Sequence, residues 1–141
     1  MIRTLDHAHP VLRVRCEALQ GLWDGQSPNE HLQITCVWRS RDEQALLYAQ
    51  GRTAPGNVVT WTKVSRHNLM PSRAIDVCIL VDGVGLCNTT SKVHVASWEN
   101  AKYAPLGPLC ETVGLIWGGA WLHPDRCHIQ LPDDVPQMGA A

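Results

Sequence analysis

The sequence predicts an α+β fold, built as one domain around one hydrophobic core. Its 141 residues are enough for a single core and too few for two ordinary domains. Alternating apolar residues predict short strands, and apolar residues at helical spacing predict helices. Nine prolines and eleven glycines indicate frequent turns between these short elements.

Helices are predicted from apolar spacing and from end signals. The first is predicted over residues 10–24. Its apolar face is predicted to consist of Val11, Val14, Ala18 and Leu22. Ser40 and Glu43 have the capping-box form that begins a second helix, which Gly51 would end. A third helix is predicted over residues 105–113.

Strands are predicted where apolar and polar residues alternate or where a short apolar run is bounded by turn residues. These segments are residues 33–38, 57–61, 74–81, 115–117 and 128–131. Asp82 and Gly83 are typical of a hairpin turn, so residues 84–87 are predicted to return as a partner strand.

The charge and hydropathy of the chain argue against two classes of partner. The formal net charge is −1 at pH 7, which provides no general field for nucleic acid and no basic signal for anionic membranes. No stretch reaches the roughly eighteen apolar residues that a membrane span requires. We therefore expect neither a nucleic-acid partner nor stable membrane insertion. We also expect the protein to be a monomer.

The cysteines and the N-terminus both indicate synthesis in the cytoplasm. The six cysteines contain no Cys-x-x-Cys pair, so neither a zinc ribbon nor a thioredoxin motif is supported. Cys36 and Cys78 lie in apolar runs, where a reduced thiol packs as a small apolar group. The first ten residues lack the apolar core of a signal peptide. If the substrate is outside the cell, another factor must release the protein across the membrane.

Three side chains form a ligand set suited to one metal ion. His67 and His128 supply imidazoles, and Asp76 supplies a carboxylate from within a predicted buried strand. This set suits a catalytic Zn²⁺ site when a further position is left for water. Because an unpaired carboxylate is costly to bury, Asp76 needs a cation. Asp125, three residues before His128, is the candidate general base.

His123 is the main alternative to His128 as a metal ligand, because it too is near Asp125 in the sequence. The alternation over residues 128–131 places His128 and Gln130 on the face opposite the core, which favours His128. Asp125 must then lie in the loop or in a bulge before this strand to reach the site.

Several motifs extend the pattern beyond the metal ligands. They are Trp38-Arg39-Ser40, Glu43-Gln44-Ala45-Leu46-Leu47-Tyr48-Ala49-Gln50-Gly51-Arg52-Thr53, Gly114-Leu115-Ile116-Trp117-Gly118-Gly119-Ala120-Trp121 and Asp125-Arg126-Cys127-His128-Ile129-Gln130. With the segment 65–76, these motifs resemble zinc peptidases of the D-Ala-D-Ala carboxypeptidase and L-Ala-D-Glu endopeptidase group, especially bacteriophage endolysins. The family pattern in that segment is Ser-x-His-x-x-Gly-x-Ala-x-Asp, so the turn in this chain is two residues longer.

The resemblance implies a small antiparallel sheet that carries a zinc site and is flanked by helices. His67, Asp76 and His128 would hold Zn²⁺, and Asp125 would be the catalytic base. Arg39 would face the substrate, where a guanidinium can bind a carboxylate or a developing oxyanion. Three further residues are candidates for substrate binding, and each could instead have a purely structural role. Gln44 could simply continue the helix, Ser65 could cap a turn, and Trp121 could pack in the core.

The predicted function is hydrolysis of the L-Ala-D-Glu bond in peptidoglycan stem peptides, in the manner of an endolysin. Residues 1–141 would form a single catalytic domain, with no separate domain for binding the cell wall. One alternative is a D-Ala-D-Ala carboxypeptidase with the same metal site. The other is a non-catalytic module for wall binding or assembly. The presence of all three metal ligands and of Asp125 argues against this alternative, because a protein that only binds the wall does not need them.

Overall fold

The chain forms a small antiparallel sheet with helices packed against it, in the residues that the computed structural model describes: 1–81, 84–85 and 101–137. The helices are α1 (Pro10–Gln26), α2 (Arg41–Ala49) and α3 (Leu106–Val113). The strands are β1 (Glu30–Cys36), β2 (Ala74–Val81), β3 (Val84–Gly85), β4 (Ile116–Trp117) and β5 (His128–Gln130). The predicted α+β fold is confirmed. The predicted turn at residues 82–83 and all of residues 86–100 lie outside the described residues.

Strand β2 is the central strand of the sheet. The strand order is β1-β2-β5-β4, and β3 also pairs with β2. Asp76 of β2 has Cys36 of β1 as its partner on one side and His128 of β5 on the other. A register irregularity between Ile34 and Cys36 brings Cys36 to this position. The sheet therefore aligns three side chains that could bind a metal across three adjacent strands.

The core-facing side of α1 differs from the prediction. Val14 is 67% exposed and Leu22 is 39% exposed, although both were assigned to the apolar face. The buried residues of this helix are instead Leu12, Cys16, Leu19 and Trp23. These four recur at intervals of four, three and four residues and form a bulkier stripe than the predicted one. Burial of the larger apolar side chains decides the rotation of the helix.

Helix α2 confirms the predicted capping box and begins next to the site. The backbone N–H of Glu43 donates to the Ser40 hydroxyl at 3.0 Å, and the backbone N–H of Ser40 donates to the Glu43 carboxylate at 3.2 Å. The helix ends at Ala49, and Gly51 follows with φ of 80°, a conformation that favours glycine. This strong N-terminal signal fixes where the chain turns after β1.

The predicted strand over residues 57–61 does not form. Two of its backbone carbonyl groups accept hydrogen bonds from side chains instead of from a neighbouring strand. Gln50 donates to the carbonyl oxygen of Asn57 at 3.1 Å, and Arg52 donates to that of Thr60 at 3.0 Å. The segment is therefore a loop held by side chains from the end of α2 and the turn after it.

The cysteines of the described residues are reduced and buried, as predicted for them. They are Cys16, Cys36, Cys78, Cys110 and Cys127; Cys87 lies outside the described residues. Burial raises the pKa of Cys16 and of Cys110 to about 12, so these two thiols are unreactive at neutral pH. Among the helices described, none is long and apolar enough to cross a lipid bilayer.

Candidate metal centre

Asp76 lies where the three predicted metal ligands meet. Its Oδ1 atom is 3.2 Å from Nε2 of His67 and 3.5 Å from Nδ1 of His128. The two imidazole rings stand edge to face, with their centroids 5.1 Å apart. Both histidine side chains are buried. The fold therefore brings side chains from distant parts of the sequence around one carboxylate oxygen.

A short 3₁₀ turn, Arg66–Asn68, sets the orientation of His67. The Ser65 hydroxyl accepts the backbone N–H of His67 at 3.2 Å, as part of a capping box. Nδ1 of His67 donates to the carbonyl oxygen of Val37 at 3.0 Å, so Nε2 points towards Asp76. Ser65 thus caps the turn and orients His67, which are structural roles; its contact with substrate stays a prediction.

His128 is oriented by its own strand. Its Nε2 donates to Oε1 of Gln130 at 2.9 Å, which leaves Nδ1 on the side of Asp76. The two side chains share one face of β5, as the alternation predicts, while Ile129 is fully buried. The role of Gln130 in fixing the ring of His128 was not predicted, although their spacing of two residues in a strand indicates the contact.

Arg39 follows β1 and holds the second oxygen of Asp76. Its Nη2 is 3.2 Å from Oδ2 of Asp76, and its Nη1 donates to Oε1 of Gln44 at 2.8 Å. Nε2 of Gln44 in turn donates to the carbonyl oxygen of Thr62 at 2.8 Å. Because Gln44 is 0% exposed, it is a positioning residue behind Arg39, and the idea that it contacts substrate finds no support in this geometry. Contact between Arg39 and substrate stays a prediction.

Asp125 lies in the loop before β5, as predicted from the sequence. Its backbone N–H donates to the carbonyl oxygen of Gly118 at 2.9 Å, and the Cys127 thiol donates to its Oδ1 at 3.3 Å. Burial, and then the charge of Asp76, raise the pKa of the Asp125 carboxyl, while His128 opposes the rise. A carboxylate with a raised pKa is a stronger proton acceptor, which suits a general base.

Cys36 also lies next to this site, although the sequence alone did not predict it there. Its Sγ is 3.6 Å from Nδ1 of His67 and 3.6 Å from Nη2 of Arg39. Ligand atoms of Cys36, His67 and Asp76 lie within 4.8 Å of one another, so this group could also hold a metal. The sulfur, however, lies on the Nδ1 side of His67, and this nitrogen already donates to the Val37 carbonyl oxygen. Nδ1 of His128 instead lies near Oδ1 of Asp76, the same atom that Nε2 of His67 faces, so we favour His128 as the third ligand.

Two further aromatic side chains come from the loop that carries Asp125. Trp121 is 40% exposed, and its ring centroid is 5.1 Å from that of His128. It therefore lies beside the site with an exposed surface, and its contact with substrate stays a prediction. The ring of His123 stacks on Trp61 at 4.2 Å, whereas His128 is the histidine beside Asp76.

The site stabilises positive charge around Asp76. Burial alone would lower the pKa of His67, but the Asp76 carboxylate outweighs burial and raises this pKa to about 10. Burial would likewise raise the pKa of Asp76, but His67 and His128 hold it well below its ordinary range. In the metal-free protein at neutral pH, Asp76 is therefore ionised and His67 carries a proton next to it.

The donor set fits Zn²⁺ by its chemistry. Two imidazole nitrogens, from His67 and His128, lie beside one oxygen of Asp76, and each ring has its other nitrogen hydrogen-bonded to the protein. Second hydrogen bonds of this kind are typical of metal-ligating histidines. The proton on His67 would have to leave when a metal binds.

Comparisons with known proteins show which family, relatives and fold this chain resembles. A family model described as D-alanyl-D-alanine carboxypeptidase matches residues 59–131. The chain is 30% identical over 129 residues to the peptidoglycan L-alanyl-D-glutamate endopeptidase CwlK of Bacillus subtilis (strain 168), covering 87% of this chain and 72% of CwlK. Its fold is similar to the crystal structure of the Serratia marcescens L-Ala D-Glu endopeptidase ChiX, with a TM-score of 0.63 and 24% identity over 91% of this chain and 83% of ChiX.

Proposed function

The chain belongs to the D-alanyl-D-alanine carboxypeptidase family of peptidases, and from this membership we propose that it is a zinc-dependent peptidase that hydrolyses the L-Ala-D-Glu bond of peptidoglycan stem peptides. The observation that carries the proposal is the meeting of His67, Asp76 and His128 beside Asp125. The choice of bond is supported by the similarity to CwlK over most of the chain.

Zn²⁺ would be held by His67, Asp76 and His128, and it would supply a Lewis acid that polarises the scissile carbonyl and acidifies water. Asp125 accepts the proton of the attacking water on its carboxylate and delivers it to the leaving amine. Arg39 keeps Asp76 in place through the contact at 3.2 Å. Gln44 accepts a hydrogen bond from Arg39 and so fixes the guanidinium that contacts Asp76.

The test combines metal analysis with identification of the bond that is cut. Purified protein is incubated with peptidoglycan in the presence of zinc, and the products are analysed by mass spectrometry. New C-terminal L-Ala residues and new N-terminal D-Glu residues are expected. Release of D-Ala would instead identify a D-Ala-D-Ala carboxypeptidase, the activity in the description of the matching family. Binding to peptidoglycan without any cleavage, with zinc bound, would favour the non-catalytic module.

Two variants separate metal binding from catalysis. Asp125→Asn should keep the zinc and lose turnover, because the amide cannot accept the proton. His67→Ala should lose both the zinc and the turnover. His31→Ala is a matched control, since His31 is exposed on β1 and contacts Asp24, outside the site. Full activity of Asp125→Asn would exclude Asp125 as the general base.

We further propose a lytic role, in which one catalytic domain over residues 1–141 acts on the wall after release from the cytoplasm. The support is the resemblance of the Gly51-Arg52-Thr53 and Gly114 to Trp121 motifs to those of phage endolysins; CwlK and ChiX are bacterial proteins. Expression in a bacterium, with and without a protein that perforates the membrane, tests this role. Lysis only when the membrane is perforated is expected, and intact cells in both cases would contradict it.

A further inference from the structure

Four side chains form a stack of aromatic and cationic groups, which we call the cationic ladder: Tyr48, Arg52, Trp61 and His123. Tyr48 is half-buried, and the other three are exposed. The Arg52 guanidinium lies 3.8 Å from the centroid of the Tyr48 ring and 5.7 Å from that of Trp61. Trp61 stacks on His123 at 4.2 Å with an interplanar angle of 19°. Nζ of Lys63 lies 5.2 Å from the Tyr48 ring. Cations at these distances interact favourably with aromatic faces.

The ladder has positive charge without a carboxylate to balance it. Within the described part of the chain, neither Arg52 nor Lys63 forms an ion pair with an acidic side chain. Arg52 instead donates to the carbonyl oxygens of Tyr48 at 2.6 Å and of Thr60 at 3.0 Å, which hold it in place without neutralising it. Trp61 is 63% exposed, so a large apolar face lies next to the charges. Such a surface suits an anionic ligand with apolar parts.

The ladder is connected to the metal centre on two sides. Gln44, which holds Arg39, also donates to Thr62 at 2.8 Å and to the Thr60 hydroxyl at 3.3 Å, the two residues that flank Trp61. On the other side, His123 precedes Asp125 by two residues in the same loop. A substrate chain that leaves the metal centre along this loop would therefore meet the ladder.

We propose that the cationic ladder, together with Lys63, binds the free carboxylates of the stem peptide and so gives the enzyme a preference for stem peptides that carry them. This inference rests on the proposed function. A glutamate that is linked through one carboxyl keeps its other carboxyl free, and that group is anionic at neutral pH. Arg52 and Lys63 are its partners, and the exposed face of Trp61 packs against the apolar atoms beside it.

The experiment compares two synthetic stem peptides, one with the free glutamate carboxylate and one with this carboxylate converted to an amide. For the free peptide, Arg52→Gln and Lys63→Gln should each raise KM on the order of threefold, the effect of one exposed ion pair, with kcat unchanged. The double variant should raise KM further, and high salt should reduce the difference. For the amide peptide, all variants should match the wild-type protein.

Controls separate binding from folding and from the proposed function. Arg3→Gln removes an exposed arginine outside the ladder and should leave KM unchanged. Arg52 also donates hydrogen bonds that hold its loop, so Arg52→Gln could change KM by moving the loop. Lys63→Gln removes a positive charge without removing those hydrogen bonds. Thermal melting checks that each variant folds. Equal KM changes for both peptides, or none for either, would overturn the inference even if the wild-type enzyme cleaves them. Cleavage of neither peptide by the wild-type enzyme would contradict the proposed function itself.

Discussion

Gly118→Ala is expected to displace the loop that carries the proposed general base. Gly118 is buried, and a Cβ atom there would lie 2.7 Å from the carbonyl oxygen of Asp125 and 3.2 Å from Cβ of His128. Ordinary contacts begin at 3.4 Å, so the Asp125 backbone would have to move by about 0.7 Å. That backbone is also hydrogen-bonded to Gly118, which gives the loop little freedom to adjust.

The size of the effect follows from this displacement. Overpacking a buried position costs about 1–3 kcal/mol in the free energy of unfolding. A misplacement near 1 Å of a catalytic group costs on the order of a hundredfold in rate. For a shift of about 0.7 Å we expect kcat to fall roughly tenfold to a hundredfold, while zinc at saturating concentration stays bound.

Steady-state kinetics on a stem peptide, metal analysis and thermal melting together test this expectation. Gly21→Ala is the matched control, because a Cβ at this position in α1 meets nothing within 4 Å. It should leave kcat unchanged and increase stability by about 0.5–1 kcal/mol, as glycine-to-alanine changes in helices do. If Gly118→Ala kept wild-type kcat and wild-type stability, the close packing of Gly118 against the base loop would be refuted.

Three further predictions concern the residues around Asp76. Gln44→Leu should keep bound zinc but lower kcat and reduce the free energy of unfolding by about 1–3 kcal/mol, because Arg39 and the Thr62 carbonyl lose a buried partner. Denaturant titration, metal analysis and steady-state kinetics measure these three quantities. Wild-type stability and kcat in this variant would contradict the prediction. Ser65→Ala should lower stability by about 1 kcal/mol and weaken zinc affinity, because the turn that orients His67 loses its cap. Calorimetric titration with zinc measures the affinity. An unchanged affinity would argue against a role for the cap in zinc binding. For the metal-free protein, the pKa of His67 is raised to about 10, so its stabilising contribution is complete below the ordinary pKa near 6.5 and is lost as pH rises towards 10. Between pH 7 and 8.5, unfolding free energy should fall on the order of 1 kcal/mol per pH unit, and a slope equally steep in His67→Gln would exclude His67 as its source.

The sequence predicts best those features that depend on local signals. Strand β2 was predicted with its observed bounds, because its apolar run is interrupted only by Asp76 and ends at polar or turn residues. The start of α2 was predicted from the capping box of Ser40 and Glu43. The placement of Asp125 in a loop before β5 followed from the alternation around His128. In each case, a few neighbouring residues contain the information that determines the structure.

Features that depend on contacts between distant segments could not be predicted in the same way. The orientation of α1 is decided by which side packs on the sheet, and two apolar stripes at helical spacing were compatible with the sequence. The place of Cys36 beside Asp76 depends on an irregular register between β1 and β2, which neither strand encodes alone. Likewise, no local signal predicts the burial of Gln44, which is possible because Arg39 and Thr62 satisfy its amide.

The pairing of Asp76 with His128 in adjacent strands has a consequence for how such sites can diversify. Two of the ligands are fixed by backbone hydrogen bonding, so the connection from His67 to β2 can change in length without moving them. Leu69 and Met70 of that connection are exposed, and the segment is two residues longer than the related motif. Evolution, or a protein engineer, can thus insert new sequence at Leu69 and Met70 to reshape this exposed surface while Asp76 and His128 keep their pairing.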